Sequence, residues 1–247
     1  MIKLEHVVLA SPEQMEFIIE GMRNPHNSWD KSDSGRCSSI HACDIHYDRC
    51  DKCIHLNKRI SGDFAIGEND HALMQRLAKA GTDHRKFMRM MPVYVRITAP
   101  LYWWKEFDTY KVATVANSCS TMHKIQEKEF TLEDFSTEHL SNFGILDLRD
   151  VIIRRLNQYR WIFTEWDSID DNSKNAYGMY EKKDAWWQMI QLLPSSYNQT
   201  RNVMMNYEVL CNIYHSRKGH RLDEWREFCK WIEELPYSEL IVGKKED

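Results

Sequence analysis

Apolar and polar positions along this chain follow two periods, and each period predicts a different kind of element. Val93, Val95 and Ile97 alternate with Tyr94, Arg96 and Thr98, the period-two pattern of a half-buried strand. Residues 2–10 predict a second strand. A well-marked helix follows, with Ser11 as cap, Pro12 in the first turn and Gln14 completing a capping box. Met15, Ile18, Ile19 and Met22 then share one face of that helix. From Asn24 to Gly67 the chain is polar, turn-rich and without period. Asn69 is expected to cap a helix running through Ala80, which Gly81 closes. Pro100 suits the first position of a helix over Leu101 to Lys111, because it lacks the N–H that would go unsatisfied there. Leu101, Trp104 and Phe107 lie along its apolar face, and the polar run Asn117-Ser118-Cys119-Ser120-Thr121 reads as a loop suited to holding a ligand or as a solvated turn.

Beyond Thr131 the pattern is nearly all helical. Val151, Ile152, Leu156, Tyr159, Phe163 and Trp166 follow helical spacing. A second helix is expected from Ser173 to Leu193, stopped by Pro194, and a third from Gln199 to His215. The last starts at Asp223 and buries Trp225, Phe228, Cys229, Ile232 and Leu235 before Pro236. The fold class that results is α/β (α+β) and helix-dominated, with a small mixed sheet that includes residues 2–10 and 93–98. No internal repeat or low-complexity linker interrupts it, so residues 1–247 read as one domain with a Cys/His-rich insertion at about 35–60.

Composition narrows the function classes. Nine Trp, eleven Tyr and nine Phe against only nine Gly and six Pro favour helices with aromatic packing over a loop-rich or all-β fold. A formal net charge of −4 gives no electrostatic case for broad nucleic-acid binding. No apolar run reaches the length of a membrane span, and the first residues lack a signal-peptide pattern, so a cytoplasmic protein is expected. Cys211 and Cys229 read as small, reduced core residues.

The insertion holds the densest chemistry. Residues 37–55 read CSSIHACDIHYDRCDKCIH, and Cys50-x2-Cys53 is a recurrent zinc half-site because a tight turn aims both thiolates at one ion. Cys37 and Cys43 complete a four-thiolate set, with His41 or His46 as substitutes. A structural zinc that orders the insertion is expected, with an iron–sulfur cluster, a reactive-thiol loop or a pair of disulfides as alternatives.

The order Ile97-Thr98-Ala99-Pro100, a helix, then a basic and polar loop resembles the flavin-dependent thymidylate synthases. Their signature runs Q, a few apolar residues, then R-H-R-x-x-S-x-N-x-x-S-x-R-Y. Counted forward, its R-H-R falls on Thr109-Tyr110-Lys111, so only Lys111 keeps a positive charge. A one-residue insertion sets its Asn on Asn117 and its second Ser on Ser120, while its closing R-Y falls on Met122-His123. Upstream, Leu73 to His84 resembles the family's helix and His-containing segment. Downstream, Leu193-Pro194, Asn206, Leu210, His215-Ser216-Arg217 and Glu224-Trp225-Arg226 echo its tail. The resemblance covers roughly residues 66–234 by order of elements more than by identity.

That resemblance implies a homotetramer with shared sites, FAD as cofactor and a pyrimidine nucleotide such as dUMP as ligand. In the family, flavin carries reducing equivalents from NADPH and methylenetetrahydrofolate supplies the carbon. The nucleotide- or cofactor-binding residues it implies here are His84, Lys111, Asn117, Ser120, His123 and Arg217, with no catalytic residue assigned. Lys111, Asn117, Ser120 and Arg217 are expected to line one pocket, and Trp103 and Trp104 to lie near a subunit contact or the site. The basic segment His84 to Arg89 is expected to meet a phosphate or to pair with nearby carboxylates. Cys119, beside the polar loop, is considered as a nucleophile. A catalytically inactive nucleotide-binding module and a structural or interaction protein of the same fold stand as alternatives.

Overall fold

The protein is represented by a computed structural model that describes residues 2–36 and 64–243. It is helix-dominated with a small sheet, as the hydrophobic periods predict, but the sheet is antiparallel rather than mixed. Strands β1 (Lys3–Leu9), β2 (Gly35–Arg36), β3 (Phe64–Ala65), β4 (Pro92–Pro100), β5 (Val115–Ser118) and β6 (Asn198–Asn206) are present. Four of them form one sheet in the order β1-β4-β6-β5, and β2 pairs antiparallel with β3 through Gly35 opposite Ala65 and Arg36 opposite Phe64. In β4 the expected alternation holds, with Val93, Val95 and Ile97 buried and Tyr94 and Arg96 exposed.

Local signals near the N-terminus act as expected. Ser11 caps the Pro12–Arg23 helix in a full capping box with Gln14, and Met15, Ile18, Ile19 and Met22 are buried. The next helix, Glu68–Lys79, is capped differently from expectation. Its N-cap is Gly67, with no side-chain bond of its own, and Asn69 lies inside the first turn. The Asp33 carboxylate instead accepts the N–H groups of Asn69 and Asp70 at 2.9 and 3.1 Å, so a residue distant in sequence satisfies the orphan donors. Gly81 follows this helix with a φ of 100°, a conformation that favours glycine.

Other expectations need correction. Pro100 ends β4 in extended geometry and stands as the cap of a shorter helix, Leu101–Phe107, rather than as its first residue. Its first N–H groups find partners in the carbonyls of Tyr197 and Ser195, which no local pattern reveals. The polar run from Asn117 begins in the exposed strand β5, not in a loop. The helix expected from Gln199 is strand β6 through Asn206, and only Tyr207–Arg217 is helical, capped by the Asn206 side chain. The stretch from Ser173 to Leu193 contains two helices, Asp171–Ala176 and Lys182–Leu192, with Gly178 at a φ of 68° between them. Val151 is 59% exposed, because a π-helical turn over Leu148–Ile153 turns it outward while Leu148, Ile153 and Leu156 go inward.

The chain divides into two compact units. The central unit comprises Met1–Lys3, Thr98–Thr109 and Asn117–Arg201. Its core holds Ile125, Phe130, Phe135, Leu148, Ile153, Leu156 and Met189, beside a smaller cluster of Ile162, Met179 and Ala185. Trp103 and Trp104 are fully buried in this unit, so they are core side chains and not a surface for a second subunit. The terminal unit comprises Leu4–Ile97, Tyr110–Ala116 and Asn202–Asp247. Its Asp223–Glu234 helix buries Trp225, Phe228, Cys229 and Ile232 as the sequence predicts. Cys211 is buried too, and burial raises its thiol pKa despite the nearby Arg85 guanidinium. No helix among the described residues is long and apolar enough to cross a membrane.

Candidate functional site

In the central unit, the polar segment after β5 is fixed by side chains from β6. The Cys119 N–H donates to the Thr200 carbonyl at 3.0 Å, continuing the strand pairing one residue further. Ser120 then caps the short Thr121–Lys124 helix, its Oγ accepting the His123 N–H at 3.1 Å. Buried Gln199 connects this segment to the rest of the unit. Its Nε2 donates to Thr121 Oγ1 at 2.8 Å and to the Cys119 carbonyl at 3.4 Å. Its Oε1 accepts from Arg201 Nε at 2.9 Å, and its carbonyl accepts from Trp104 Nε1 at 2.9 Å.

Arg201 extends the chain of bonds. Its Nη1 donates to Asp108 Oδ1 at 2.7 Å, and its guanidinium lies 4.1 Å from the centre of the Trp104 ring. The result is a connected path from Thr121 through Gln199 and Arg201 to Asp108. It fixes the Cys119-to-Thr121 segment and leaves Asn117, Ser118, Cys119 and Ser120 exposed. Such an arrangement presents neutral donors and acceptors on a rigid support. Nearby Tyr197 has its phenol pKa raised by burial, and further by the Asp134 carboxylate, so it stays a neutral hydroxyl.

In the terminal unit, Arg217 is fixed against aromatic groups. Its Nε donates to the Tyr110 hydroxyl at 2.9 Å, and its guanidinium lies 4.8 Å from the Trp225 ring centre and 5.6 Å from that of Tyr110. Lys111 follows Tyr110 directly and is exposed, ahead of a turn in which Ala113 takes a φ of 58°. The basic segment from His84 resolves toward carboxylate pairing. Arg85 and Arg89 both bond Glu208, and Arg85 also donates to Asn212 Oδ1 at 3.2 Å and Cys211 Sγ at 3.3 Å. Burial raises the Glu208 carboxyl pKa, but the Arg89 and Arg85 bonds outweigh it and hold it below the usual value. His84 is exposed, its backbone N–H bonded to the Gly81 carbonyl at 3.1 Å.

The expected site residues thus fall into two groups. Asn117, Ser120 and His123 are gathered on one segment of the central unit. Lys111, Arg217 and His84 belong to the terminal unit, which brings Arg217 to Tyr110, next in sequence to Lys111. Gln199, Arg201 and Tyr110 were not anticipated from the sequence. The strand-like alternation of Gln199, Arg201, Val203 and Met205 carried the signal for the first two, and the helical reading of that stretch hid it. Among the described residues, no group of three or more His, Cys, Asp or Glu side chains is placed to hold a metal. Cys37, Cys43, Cys50 and Cys53, expected to ligate zinc, lie outside the described residues.

No protein-family model matches the chain, and no curated protein matches its sequence. The fold itself is that of the flavin-dependent thymidylate synthases. Two solved structures carry this result. Thymidylate synthase X from Helicobacter pylori with FAD and dUMP superposes with a TM-score of 0.58, at 14% identity, covering 98% of this chain and 97% of that one. The flavin-dependent thymidylate synthase ThyX from Helicobacter pylori complexed with FAD and dUMP gives 0.56, with the same identity and coverage. At such identity the likeness establishes the fold.

Proposed function

We propose that this chain is a divergent flavin-dependent thymidylate synthase-like protein that binds a pyrimidine nucleotide such as dUMP, with FAD as cofactor. The observation that carries this reading is the match over 98% of the chain to a structure holding FAD and dUMP. Lys111 and Arg217 are the proposed cationic contacts, and Asn117 and Ser120 the proposed neutral ones, with His84 and His123 as further contacts. A cation makes the strongest contact with a phosphate. Lys111 is exposed, and Arg217 is already oriented by Tyr110 and Trp225, so less side-chain freedom is lost when it meets an anion.

A specific observation favours a second reading, a nucleotide-binding module of this fold without the chemistry. The signature's R-H-R is replaced by Thr109-Tyr110-Lys111, which keeps a single positive charge. Arg85 and Arg89 are committed to Glu208, and Arg201 to Asp108. A flavin diphosphate loses its strongest anion contacts when guanidinium groups are missing or already paired. Titration calorimetry with dUMP, flavin absorbance of the purified protein and an assay for thymidylate formation separate the readings. Saturable dUMP binding weakened about tenfold in Arg217→Ala, the scale of a charge-assisted hydrogen bond, supports both readings. Thymidylate formation then selects the enzyme. Binding of neither dUMP nor FAD refutes both.

The same proposal includes a structural zinc on Cys37, Cys43, Cys50 and Cys53 and a homotetrameric assembly. Stoichiometric metal in the purified protein and sedimentation as a tetramer are the expected results.

A further inference from the structure

A groove of about 520 Å3 opens on the central unit, lined by Glu129, Phe130, Thr131, Leu132 and Glu133 on one side and by Arg149, Ile153, Arg154 and Asn157 on the other. Its floor is apolar, since Phe130 and Ile153 are buried in the core and Leu132 packs against it. The segment that carries the glutamates is rigid. Asn157 clamps Phe130 by both backbone groups, accepting its N–H at 2.8 Å and donating to its carbonyl at 2.9 Å. Thr131 and Asp134 form a capping box immediately after.

The opposite wall owes its charge to the π-helical turn Leu148–Ile153. In an α-helix, side chains five residues apart diverge by about 140°, given 3.6 residues per turn. A π-turn bonds residue i to i+5 and so stacks them on one face, and the Arg154 N–H indeed donates to the Arg149 carbonyl. Arg149 and Arg154 therefore both line the groove, where an unbroken α-helix would separate them. Asp150 pairs with Arg149 and so offsets one of the two positive charges, leaving Arg154 to carry the net charge of this wall. The Asp150 carboxylate receives the Arg149 fork at 3.0 and 3.1 Å and lies 3.9 Å from Arg154. The Arg154 side chain stays 77% exposed. Across the groove, Glu129 and Glu133 are exposed and make no ion pair among the described residues.

We propose that this groove binds an extended segment of a partner protein, in which an apolar side chain meets the floor between an acidic residue and a basic one. Charge complementarity selects this occupant. One wall keeps a net positive charge, with Arg154 exposed on it, and attracts a carboxylate, while the two glutamates on the other attract an ammonium or guanidinium group. The same glutamates repel a polyanion, which argues against nucleic acid or an anionic membrane. The volume falls in the range of pockets that hold a few residues or a small ligand, about 300–1,000 Å3. A π-turn interrupts regular bonding and recurs at functional sites, and here its effect is to place two cations side by side.

The test uses the full chain and a short fluorescein-labelled peptide with aspartates at one end, a Leu-Phe-Leu centre and lysines at the other. A control peptide has the same composition with its charges interleaved. Fluorescence anisotropy is expected to show saturable binding of the first peptide and much weaker binding of the control. Arg149→Ala and Arg154→Ala should each weaken it about tenfold, the scale of one charge-assisted hydrogen bond. Arg149→Glu combined with Arg154→Glu should shift preference to a peptide with lysines at both ends. No saturable binding, equal binding of the control, or wild-type affinity in both alanine variants overturns the proposal.

Discussion

Asp70 offers the sharpest test of how this fold is held. Its carboxylate is fully buried and pairs with the Arg23 guanidinium at 2.5 Å, itself almost fully buried. It also accepts from Ser32 Oγ at 2.7 Å, Ser34 Oγ at 2.6 Å, and the N–H groups of Asp33 and Ser34 at 3.2 and 3.1 Å. Arg23 in turn donates to the Ser28 and Lys31 carbonyls at 3.1 and 2.9 Å. The network therefore ties two helices to the segment that leads into β2. Asp70→Ala leaves Arg23 charged, buried and without its carboxylate, a change that costs about 3–5 kcal/mol. Against a typical total stability of about 5–15 kcal/mol, that is a large fraction. Urea unfolding followed by circular dichroism should show a midpoint shift of that size at neutral pH. Replacing both partners, Asp70→Leu with Arg23→Met, should cost clearly less than the sum of the single changes, because no unpaired charge remains.

Acid gives an independent arm of the same test. Burial raises the Asp70 carboxyl pKa, but the bonds from Ser34, Ser32 and Arg23 outweigh it and hold the value below the ordinary one. A carboxyl depressed on folding contributes stability that is fully present above its unfolded value of about 3.9. That contribution is lost as pH falls through the lower folded value. The difference between wild type and Asp70→Ala should therefore persist at neutral pH and shrink only in strong acid. A cost below about 1 kcal/mol, the scale of a single neutral hydrogen bond, would refute the reasoning, as would full additivity in the double variant.

Three further outcomes are expected. Glu208→Gln should destabilise by about 2 kcal/mol at neutral pH, the scale of hydrogen bonds to charged groups, with the loss fading as pH falls through the depressed folded pKa of Glu208; urea midpoints across pH check it. Arg201→Met should cost about 2–3 kcal/mol through the lost Asp108 pair, Gln199 bond and Trp104 contact, and should speed amide exchange at 119–124; unchanged exchange there contradicts the bonded path from Gln199. Ser120→Ala should lower stability by about 1 kcal/mol as a lost helix cap, and a thermal melt identical to wild type would show that its hydroxyl does not cap.

The sequence by itself determined the elements whose causes are local. Ser11, Pro12 and Gln14 set a helix start by bonds within one turn, and the helix forms there. Val93, Val95 and Ile97 mark β4 because alternate side chains face opposite sides of any strand. Trp225, Phe228, Cys229 and Ile232 mark a helix face for the corresponding helical reason. The order of these elements also carried the resemblance to the flavin-dependent thymidylate synthases, and the fold agrees. What only the tertiary structure decided rests on partners distant in the chain. The stretch from Asn198 is a strand because β4 and β5 flank it in the sheet, although its residues read as the start of a helix. Asp33 caps a helix that begins near Glu68, and Gln199 fixes the segment after Cys119. Arg85 and Arg89, legible as a basic patch, are drawn to Glu208, a carboxylate more than a hundred residues away that no spacing rule connects to them. Periodicity reports which face of an element is apolar; which charged and polar groups then meet is set by the packing of those faces, and the candidate site is made of such meetings.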